Sequence, residues 1–371
     1  MFRVEEINSI DELAGLRLTW QWLLGQTREA TFFQSLDWLE VYWKYFGEGQ
    51  RLRALVCYSD DQLVGIMPLV VRTERTLIGK LRTLTYPLDD WGSFYGPIGP
   101  QPTATLFAGL RHVRQTRRDW DVLDLRWVNP RVDWDRTPRT LRTAGFQSHP
   151  QACVQVALID ARGGWDEYWA SRTSRWRSNV HRSEKKMAAD GDLAYEHYRP
   201  AGISQGEFDP RWDLYDACEH VASRSWQATA DGTTLSDPLV RDFLRDVHRA
   251  AVRAGAADMH LLRLNGQPLA FAYNYVVNGY VSGLRAGYDA SASCDGAGNV
   301  LLRRAIETSF RQGDHTYDLG ADIDAQRPWA TSIVRSVRYS HFPPAAPRTQ
   351  AIRLKRALQR WMAGRPNVTT A

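Results

Sequence analysis

A turn rich in small residues runs directly into an amphipathic helix near the end of the sequence, which reads CDGAGNVLLRRAIE at 294–307. The first N–H groups of a helix have no partner within it and carry a partial positive charge. Gly296 and Gly298 would let this backbone approach an anion without side-chain obstruction, as in a pyrophosphate cradle. The alternative is an ordinary glycine-rich turn before a helix Asn299–Gln312, capped by Asn299. Phosphate binding is thus one of two interpretations.

A second group of residues that could bind a ligand is a basic run, RTSRWRSNVHRSEKK at 172–186. Arg175, Arg182 and Lys186 recur at helical spacings of seven and four, while Arg177 lies on another flank. A guanidinium matches a phosphate or carboxylate with two parallel hydrogen bonds. The pattern indicates either an anion-binding helix or a solvated basic face.

Other kinds of catalytic centre find little support. The histidines show no pairing with Ser or Cys that would indicate a hydrolase triad. The cysteines at 57, 153, 218 and 294 are scattered, form no C-x-x-C pair and lack metal-ligand spacing. We therefore expect reduced thiols, no bound metal and no nucleophilic role for Cys294.

Two similar arrays of predicted elements must position these residues. LVCYSDDQLVGIMPLVV (55–71) and LLRLNGQPLAFAYNYVV (261–277) each read as strand, polar turn and strand. Asn265-Gly266 is the strongest two-residue hairpin signal in the chain. Each hairpin is followed by a strand, a glycine-rich loop, a helix and another strand. The sequence therefore predicts an α/β (α+β) fold of two tandem units, each a mixed, mostly antiparallel sheet flanked by helices.

The boundaries follow from this repeat. We expect a first unit at 1–160, a second unit at 161–345 and a basic tail helix within 346–371. Helical spacing predicts helices near 11–25, 32–46 and 103–117 in the first unit. In the second unit it predicts a long basic helix near 165–190 and others near 211–227 and 237–254, the last of which opens with Asp-Pro. The first unit lacks a clear Gly-x-Gly junction, so we expect it to be degenerate and to form a wall of the acceptor cleft.

The element order resembles the GCN5-related N-acetyltransferase (GNAT) superfamily. Within it, SRSWQATADGTTL (223–235) resembles the Ser-Trp-Lys…Gly-Thr signature of the CelD/BioF2-like acetyltransferases. GYDASASCDGAGNVLLRRAIETSFRQGDHTYDLGAD (287–322) matches the same family's strand end, turn, helix and Asp-x-x-Gly strand. FFQSLDWLEVYW and the hairpin ending IMPLVV also fit, so the resemblance covers most of residues 30–340. The family in turn resembles the tandem-domain Fem peptidoglycan aminoacyltransferases, which would explain the duplication.

The resemblance implies roles for particular residues. The turn would hold the coenzyme A pyrophosphate, and two parting strands, YVSGLRAGYD and TYDLG, would admit the thioester. It implies a general base at Asp318 or Asp322 and a proton donor to the departing thiolate at Tyr288. The implied acceptor-binding residues are Arg177, Arg182 and Trp226. The implied donor-binding residues are Arg285, Ala286, Gly287, Gly296, Ala297, Gly298, Asn299 and Arg327.

Three positions depart from the family pattern. Gln227 stands where Lys is usual, and Ser293 stands where Arg or Gln opens the phosphate loop. Gln326-Arg327 replaces a Tyr-Lys pair, and Arg327 would supply the charge.

Composition limits the partners. The formal net charge is +5, and the chain after Asp324 carries nine Arg or Lys and no acid. No run is long and apolar enough to cross a bilayer, and the N-terminus is not a secretion signal, so we expect a cytoplasmic protein. The tail RTQAIRLKRALQRWMAG (348–364) predicts a basic amphipathic helix, which would pack on the body or touch an anionic membrane. No DNA-recognition motif is present.

Three functions remain open. The first is an acyl-CoA-dependent N-acyltransferase, with acetyl-CoA as co-substrate, acting on an amino sugar, a polysaccharide precursor or another small amine. The second is a Fem-like transferase that uses aminoacyl-tRNA. The third is a catalytically inactive GNAT scaffold at an anionic surface.

Overall fold

The structure is a computed structural model that describes residues 2–76, 79–225, 237–292, 295–321, 323–344 and 346–363. Its strands are β1 (Phe2–Ile7), β2 (Arg51–Ser59), β3 (Gln62–Thr76), β4 (Gly79–Thr85), β5 (Val122–Val128), β6 (His149–Asp160), β7 (Leu193–Tyr198), β8 (Ala257–Leu264), β9 (Gln267–Val277), β10 (Tyr280–Tyr288), β11 (Thr316–Asp318) and β12 (Ser332–His341). Its α-helices are α1 (Ile10–Ala14), α2 (Arg17–Gly25), α3 (Leu36–Phe46), α4 (Pro102–Gln115), α5 (Pro130–Asp133), α6 (Arg136–Thr143), α7 (Trp165–Ala170), α8 (Ser174–Asp190), α9 (Trp212–Ala222), α10 (Pro238–Ala254), α11 (Ala297–Gln312), α12 (Ile323–Gln326) and α13 (Pro347–Ala363).

Both predicted hairpins form. β2 pairs antiparallel with β3, and β8 pairs antiparallel with β9. The first turn holds Asp60 and Asp61 at φ 48° and 62°, and the second holds Asn265 and Gly266 at φ 52° and 76°. Positive φ at both central residues is what a two-residue turn between twisted strands requires, and Asn, Asp and Gly adopt it most readily.

Across the described residues the strands form one continuous sheet in the order β1-β2-β3-β4-β5-β12-β6-β11-β10-β9-β8-β7. The fold class is therefore the predicted mixed α/β arrangement, with one difference: the two units share a single sheet. β6, the last strand of the first unit, pairs antiparallel with β11 of the second. β12, the last strand of the second unit, pairs antiparallel with β5 of the first. The units thus exchange their sixth strands, and β6 and β12 pair with each other at the centre.

Helices cover both faces of the sheet. On one face, Tyr273 and Tyr275 of β9 join a large buried cluster with α3, α9 and α10. On the other, Ala270 and Ala272 of the same strand pack in a second cluster with α7, α8 and α11. Alternation along β9 produces this division, because successive side chains of a strand point to opposite faces.

Some predicted elements need correction. The long helix expected at 165–190 is two helices, because Thr173 breaks the run and its Oγ1 accepts a hydrogen bond from the backbone N–H of Trp176 (3.3 Å), capping α8. The helix expected at 11–25 is likewise divided into α1 and α2. β1, β7 and β12 were not predicted as strands.

The tail forms a helix, α13, as predicted. Its Ile352 packs against Leu81, Val122 and Phe342 of the body, while Leu354 and Leu358 are exposed. Among the described residues, no helix is both long and apolar enough to cross a membrane.

Candidate functional site

Strands β10 and β11 are the two strands that the family resemblance implies should part, and they pair over only a short stretch. β11 pairs in parallel with only Tyr280–Ser282, and β10 continues past its end to Tyr288. The register of β10 against β9 shifts between Gly283 and Arg285, a β-bulge that bends β10 away. A Cβ at Gly283 would lie 2.7 Å from the carbonyl oxygen of Asp318, so only glycine fits there. β10 therefore continues beyond the last residue of β11, and the region between the two strand ends is called the wedge below.

Asp318 ends β11 at the base of this wedge. Its side chain is buried, and burial raises its pKa to about 7, although hydrogen bonds from the Gly320 backbone N–H (2.8 Å) and the Tyr280 hydroxyl (3.3 Å) act to lower it. A carboxyl group with this pKa exchanges a proton readily near neutral pH. Asp318 therefore has the properties of a general base, the role the resemblance implies.

Two residues that sequence reasoning missed lie beside Asp318. Ser282 is its direct partner in the strand register, and its buried Oγ has no hydrogen-bond partner among the described residues. Tyr280 is fully buried, and its hydroxyl donates a hydrogen bond to Asp318. The available signal was a polar residue, Ser282, inside an otherwise buried strand segment, since buried hydroxyls normally have partners.

The predicted phosphate turn opens α11, but two residues earlier than expected. α11 begins at Ala297, and Gly296 is its N-cap at φ 88°, so Asn299 lies in the first turn instead of capping it. A Cβ at Gly296 would lie 2.5 Å from Ser183 Oγ of α8, and one at Gly298 would lie 3.3 Å from the Tyr288 ring.

Two neighbours therefore flank this turn, Ser183 on one side and the partly exposed ring of Tyr288 on the other. Within the described ranges, no acceptor is recorded for the backbone N–H groups of Ala297, Gly298 and Asn299. These are the unpaired donors of a helix start, which suit an anion.

The three residues predicted in β10 contribute in different ways. The Arg285 side chain donates to Glu219 of α9 (2.6 Å) and is therefore directed away from the wedge. A Cβ at Gly287 would lie 3.0 Å from the Phe271 ring and 3.2 Å from Ser225. Ala286 and Gly287 offer only their backbone to a ligand, and Arg285 contributes to fold stability through its ion pair.

The basic helix α8 lies beside α11. Glu184 of α8 pairs with Arg303 (3.0 Å) and Arg304 (2.6 Å) of α11, which fixes the two helices side by side. Arg182 donates only to Asn179 (3.1 Å). No acidic partner is recorded for Arg175, Lys185 or Lys186 in the described chain, so this exposed face keeps an uncompensated positive charge.

Arg177 and Arg327 lie near the start of α8. Arg177 is half-buried, and its Nε has no partner among the described atoms. Arg327 is exposed and stands two residues before Trp329. The ring centroids of Trp329 and Trp176 are 5.6 Å apart. Arg177 thus lies in the first turn of α8, the chain near Arg327 passes close to the same end of the helix, and Ser183 lies further along it. The predicted residues Trp226 and Asp322 lie outside the described residues.

A cavity of 720 Å³ lies in the first unit, beside the ends of β4 and β5. Two buried tyrosines, Tyr86 and Tyr95, line it, and their hydroxyls have no partner among the described atoms. Trp134 stands at its rim, 61% exposed, with the Arg28 guanidinium 4.7 Å above its ring. The charged lining residues are two arginines and two carboxylates: Arg28, Glu29, Asp133 and Arg136.

The balanced charge and unpaired hydroxyls indicate the kind of ligand this cavity suits. Burial raises the pKa of Asp133 despite hydrogen bonds from Thr137. Buried hydroxyls without partners suit a ligand that supplies hydrogen-bonding groups of its own. An exposed indole beside them suits the flat face of a ring.

One buried cluster connects the lining of this cavity with the candidate base. Phe94 lines the cavity and belongs to the same cluster as Tyr280, which donates a hydrogen bond to Asp318. Asn278, in the turn before β10, donates to the carbonyl of Leu24 (3.3 Å) at the end of α2 and so links the two units.

A group of His197, Asp258 and His260 has the residue types of a metal centre. His197 Nε2 and His260 Nε2 each lie 2.9 Å from a different oxygen of Asp258, while Arg199 donates at 3.0 Å and Asn274 at 2.8 Å. Burial would raise the pKa of Asp258, but these charged and hydrogen-bonding neighbours hold it well below its usual value. Four donors already occupy the carboxylate, so the group is a hydrogen-bond network.

Comparison with known proteins agrees with this geometry. Residues 174–329 match the family described as an acetyltransferase (GNAT) domain. FemX has the same fold at 12% identity and a TM-score of 0.62, over 95% of this chain and 99% of FemX. So does the C-terminal domain of a putative lysylphosphatidylglycerol synthetase from Agrobacterium fabrum, at 12% identity and a TM-score of 0.53, over 94% of this chain and 97% of that one.

A conserved protein of unknown function from Bacteroides thetaiotaomicron is also similar, at 12% identity and a TM-score of 0.54, over 92% and 100% of the two chains. No curated protein matches the chain. Residues 174–329 thus match a GNAT-type acetyltransferase domain, and the chain as a whole has the fold of FemX.

Proposed function

Because the second unit is a GNAT-type acyltransferase domain, we propose that the protein transfers an acyl group from a coenzyme A thioester to a small amine. The amine would be an amino sugar, a polysaccharide precursor or a similar acceptor. The observation that carries the proposal is Asp318, a buried carboxyl group with a pKa of about 7 at the base of the wedge between β10 and β11.

The residues around the wedge suit a thioester donor. The unpaired N–H groups of Ala297, Gly298 and Asn299 would hold its phosphates, and the absence of a side chain at Gly298 leaves the approach open beside Tyr288. A bound thioester supplies an activated acyl carbon. The backbone of β10 beyond the bulge would polarise the acyl carbonyl, because this part of the strand runs past the end of β11.

Each proton has a candidate residue. Asp318 would take a proton from the ammonium group of the acceptor, so that the free amine attacks the acyl carbon. The new C–N bond forms as the C–S bond breaks, and the second proton of the nitrogen is lost to solvent. Tyr288 of β10, whose ring lies beside the first turn of α11, would donate a proton to the departing sulfur and be reprotonated from solvent.

The first-unit cavity is the proposed acceptor site. Its net charge is balanced, its indole rim at Trp134 is exposed, and Tyr86 and Tyr95 carry unpaired hydroxyls. These features favour a polar, ring-containing acceptor such as an amino sugar over a polyanion. The buried cluster that Phe94 shares with Tyr280, the hydrogen-bond partner of Asp318, supports a position of the acceptor site near this carboxyl group.

The experiment is acyl transfer with acetyl-CoA and a panel of amino sugars, followed as release of free thiol. Binding of coenzyme A is measured separately by calorimetry. We expect both binding and acceptor-dependent thiol release. Binding of coenzyme A without transfer to any amine would support the inactive scaffold, and the absence of binding would refute the proposed donor.

Aminoacyl-tRNA is a second candidate donor. Two observations favour it: the fold shared with FemX, and the exposed face of α8, where Arg175, Lys185 and Lys186 lack acidic partners. Phosphate contacts make binding of a nucleic acid steeply dependent on salt. Binding of charged tRNA measured between 50 and 200 mM salt tests this candidate, with uncharged tRNA as control. Transfer from aminoacyl-tRNA and none from acetyl-CoA would establish it in place of the first.

A further inference from the structure

A second cavity, of 490 Å³, lies at the other end of the first unit. It is lined by Val113, Arg114 and Thr116 at the end of α4 and by Trp120 just before β5. The cavity proposed for the acceptor lies at the opposite ends of this helix and this strand, beside Pro102 and Val128. A helix of this length spans about 20 Å, so the two cavities are separate sites.

Two buried rings offer hydrogen-bond donors to this cavity. Trp120 is 3% exposed, and its Nε1–H has no partner among the described atoms. His341 Nδ1 lies 3.0 Å from the backbone nitrogen of Gln147 and 3.3 Å from its carbonyl oxygen; in the shorter contact Nδ1 accepts from the N–H, which leaves the ring proton on Nε2. Burial, partly opposed by the Gln147 contact and assisted by Arg114 and Arg118, lowers the pKa of His341 to about 4. The imidazole is therefore a neutral donor near pH 7.

Two arginines give the described lining a positive charge. Arg114 donates to the carbonyl of Gly145 (2.8 Å), and Arg118 lies 5.9 Å above the Trp120 ring. No carboxylate is among the residues that line the cavity. The nearest acids in sequence already have basic partners: Asp119 pairs with Arg51 and Arg53, and Asp121 with Arg82.

Part of the lining is apolar. Phe146, Val113, Pro343 and Pro344 form it, and the volume is several times that of an inorganic oxyanion. A guanidinium pair with neutral N–H donors matches a carboxylate or phosphate, and the apolar wall matches a hydrocarbon or aromatic group. A free phosphate ion alone would leave that wall uncovered.

We propose that this cavity binds a small organic anion, with its carboxylate or phosphate directed at Trp120, His341, Arg114 and Arg118. Its apolar part would lie on Phe146 and the two prolines. The site is independent of the acyl-transfer proposal, because it shares no residue with the wedge or the first cavity.

The test is calorimetry of the full-length protein with phenyl phosphate, benzoate, inorganic phosphate and phenol. We expect the two aromatic anions to bind at least tenfold more tightly than phenol or inorganic phosphate. The better of the two identifies the anionic group. Equal affinity for phenol would overturn the proposal, because no anion would then be recognised.

Variants locate the binding. Arg118→Gln should weaken it roughly tenfold or more, since it removes a charge-assisted hydrogen bond. Trp120→Phe removes one N–H group, keeps an aromatic ring and should weaken binding severalfold. Arg117→Gln, an exposed neighbour outside the lining, and Asp318→Asn should bind as the unmodified protein does. Unchanged affinity in both Arg118→Gln and Trp120→Phe would place the anion elsewhere and refute the site.

Discussion

The hydroxyl of Tyr280 donates a hydrogen bond to Asp318 across 3.3 Å, and the two residues belong to strands that stop pairing at Asp318 itself. This bond holds a buried carboxyl group in one orientation where β10 and β11 stop pairing. The strand separation and the raised pKa therefore occur at the same residue, which suits a group that must exchange a proton with a bound amine.

Replacing this carboxyl should remove most of the activity. In Asp318→Asn we expect acyl transfer to fall by roughly 10²–10⁴-fold, because the base is lost while the shape is kept. In the unmodified protein, the rate should rise with pH and level off above about 7, where the carboxyl is ionised. Thiol release measured from pH 5 to 9 checks both, with the exposed Asp190→Asn as control. A variant that retains the same profile would exclude Asp318 as the base.

The same group should make stability fall as pH rises. The folded pKa of Asp318 is about 7 and the unfolded value is near 3.8, so the folded state binds the extra proton between these limits. Its contribution is full below about pH 4 and is lost as pH increases through 7, by on the order of 4 kcal/mol at most. Urea unfolding of the unmodified protein and Asp318→Asn should show a smaller loss in the variant. Parallel curves would contradict the raised pKa.

The first-unit cavity gives a prediction that separates binding from stability. Tyr86→Phe and Tyr95→Phe remove hydroxyls that have no partner among the described atoms, so the free energy of unfolding should change by less than about 1 kcal/mol. The KM for the acceptor should rise severalfold while the affinity for coenzyme A stays constant. Tyr58→Phe, which removes a hydroxyl outside both cavities, serves as control. Changes in coenzyme A binding alone would place the donor in the first unit.

The basic face of α8 distinguishes the two donors. Arg175→Gln combined with Lys186→Gln removes two cations for which the described chain shows no acidic partner. If the donor is tRNA, its affinity should fall and the salt dependence of binding should become shallower by roughly two in logarithmic slope. Arg139→Gln combined with Arg142→Gln, two exposed residues of α6, removes the same number of charges and is the control. Equal slopes would mean that α8 does not touch nucleic acid.

The tail helix leads to a prediction about surfaces. We propose that α13 contacts anionic membranes through Leu354 and Leu358, since Ile352 already packs on the body. Leu354→Gln with Leu358→Gln should reduce flotation with anionic liposomes roughly tenfold or more and leave the fold unchanged. Neutral liposomes provide the comparison. No flotation of the unmodified protein would refute the contact.

Local chemistry determined what the sequence could predict. The turn residues Asp60-Asp61 and Asn265-Gly266 specify their hairpins almost alone, because positive φ is required at each. The predicted start of α11 is two residues late. Gly296 occupies the N-cap position with a left-handed backbone conformation, although Asn299 is the residue type that more often caps a helix. Thr173 was not recognised as a cap that divides the basic helix.

Long-range relationships were out of reach of the same reasoning. The pairing of β12 with β5 spans some two hundred residues and has no local signal. The pKa of Asp318 depends on burial that only the assembled sheet provides, and the unpaired hydroxyls of Tyr86 and Tyr95 are visible only once a cavity exists. The roles of the predicted site residues remain predictions. Most of those residues that the structure describes lie in or beside β10, α8 and α11.

The position of β12 between β5 and β6 has a consequence for biosynthesis. A nascent chain leaves the ribosome from its N-terminus, so β5 and β6 emerge long before Ser332–His341 is translated. Until then the growing polypeptide exposes the hydrogen-bonding edges of both strands, and such edges invite intermolecular pairing. Synthesis of this protein therefore carries an aggregation risk that lasts until β12 has been translated and pairs with both strands.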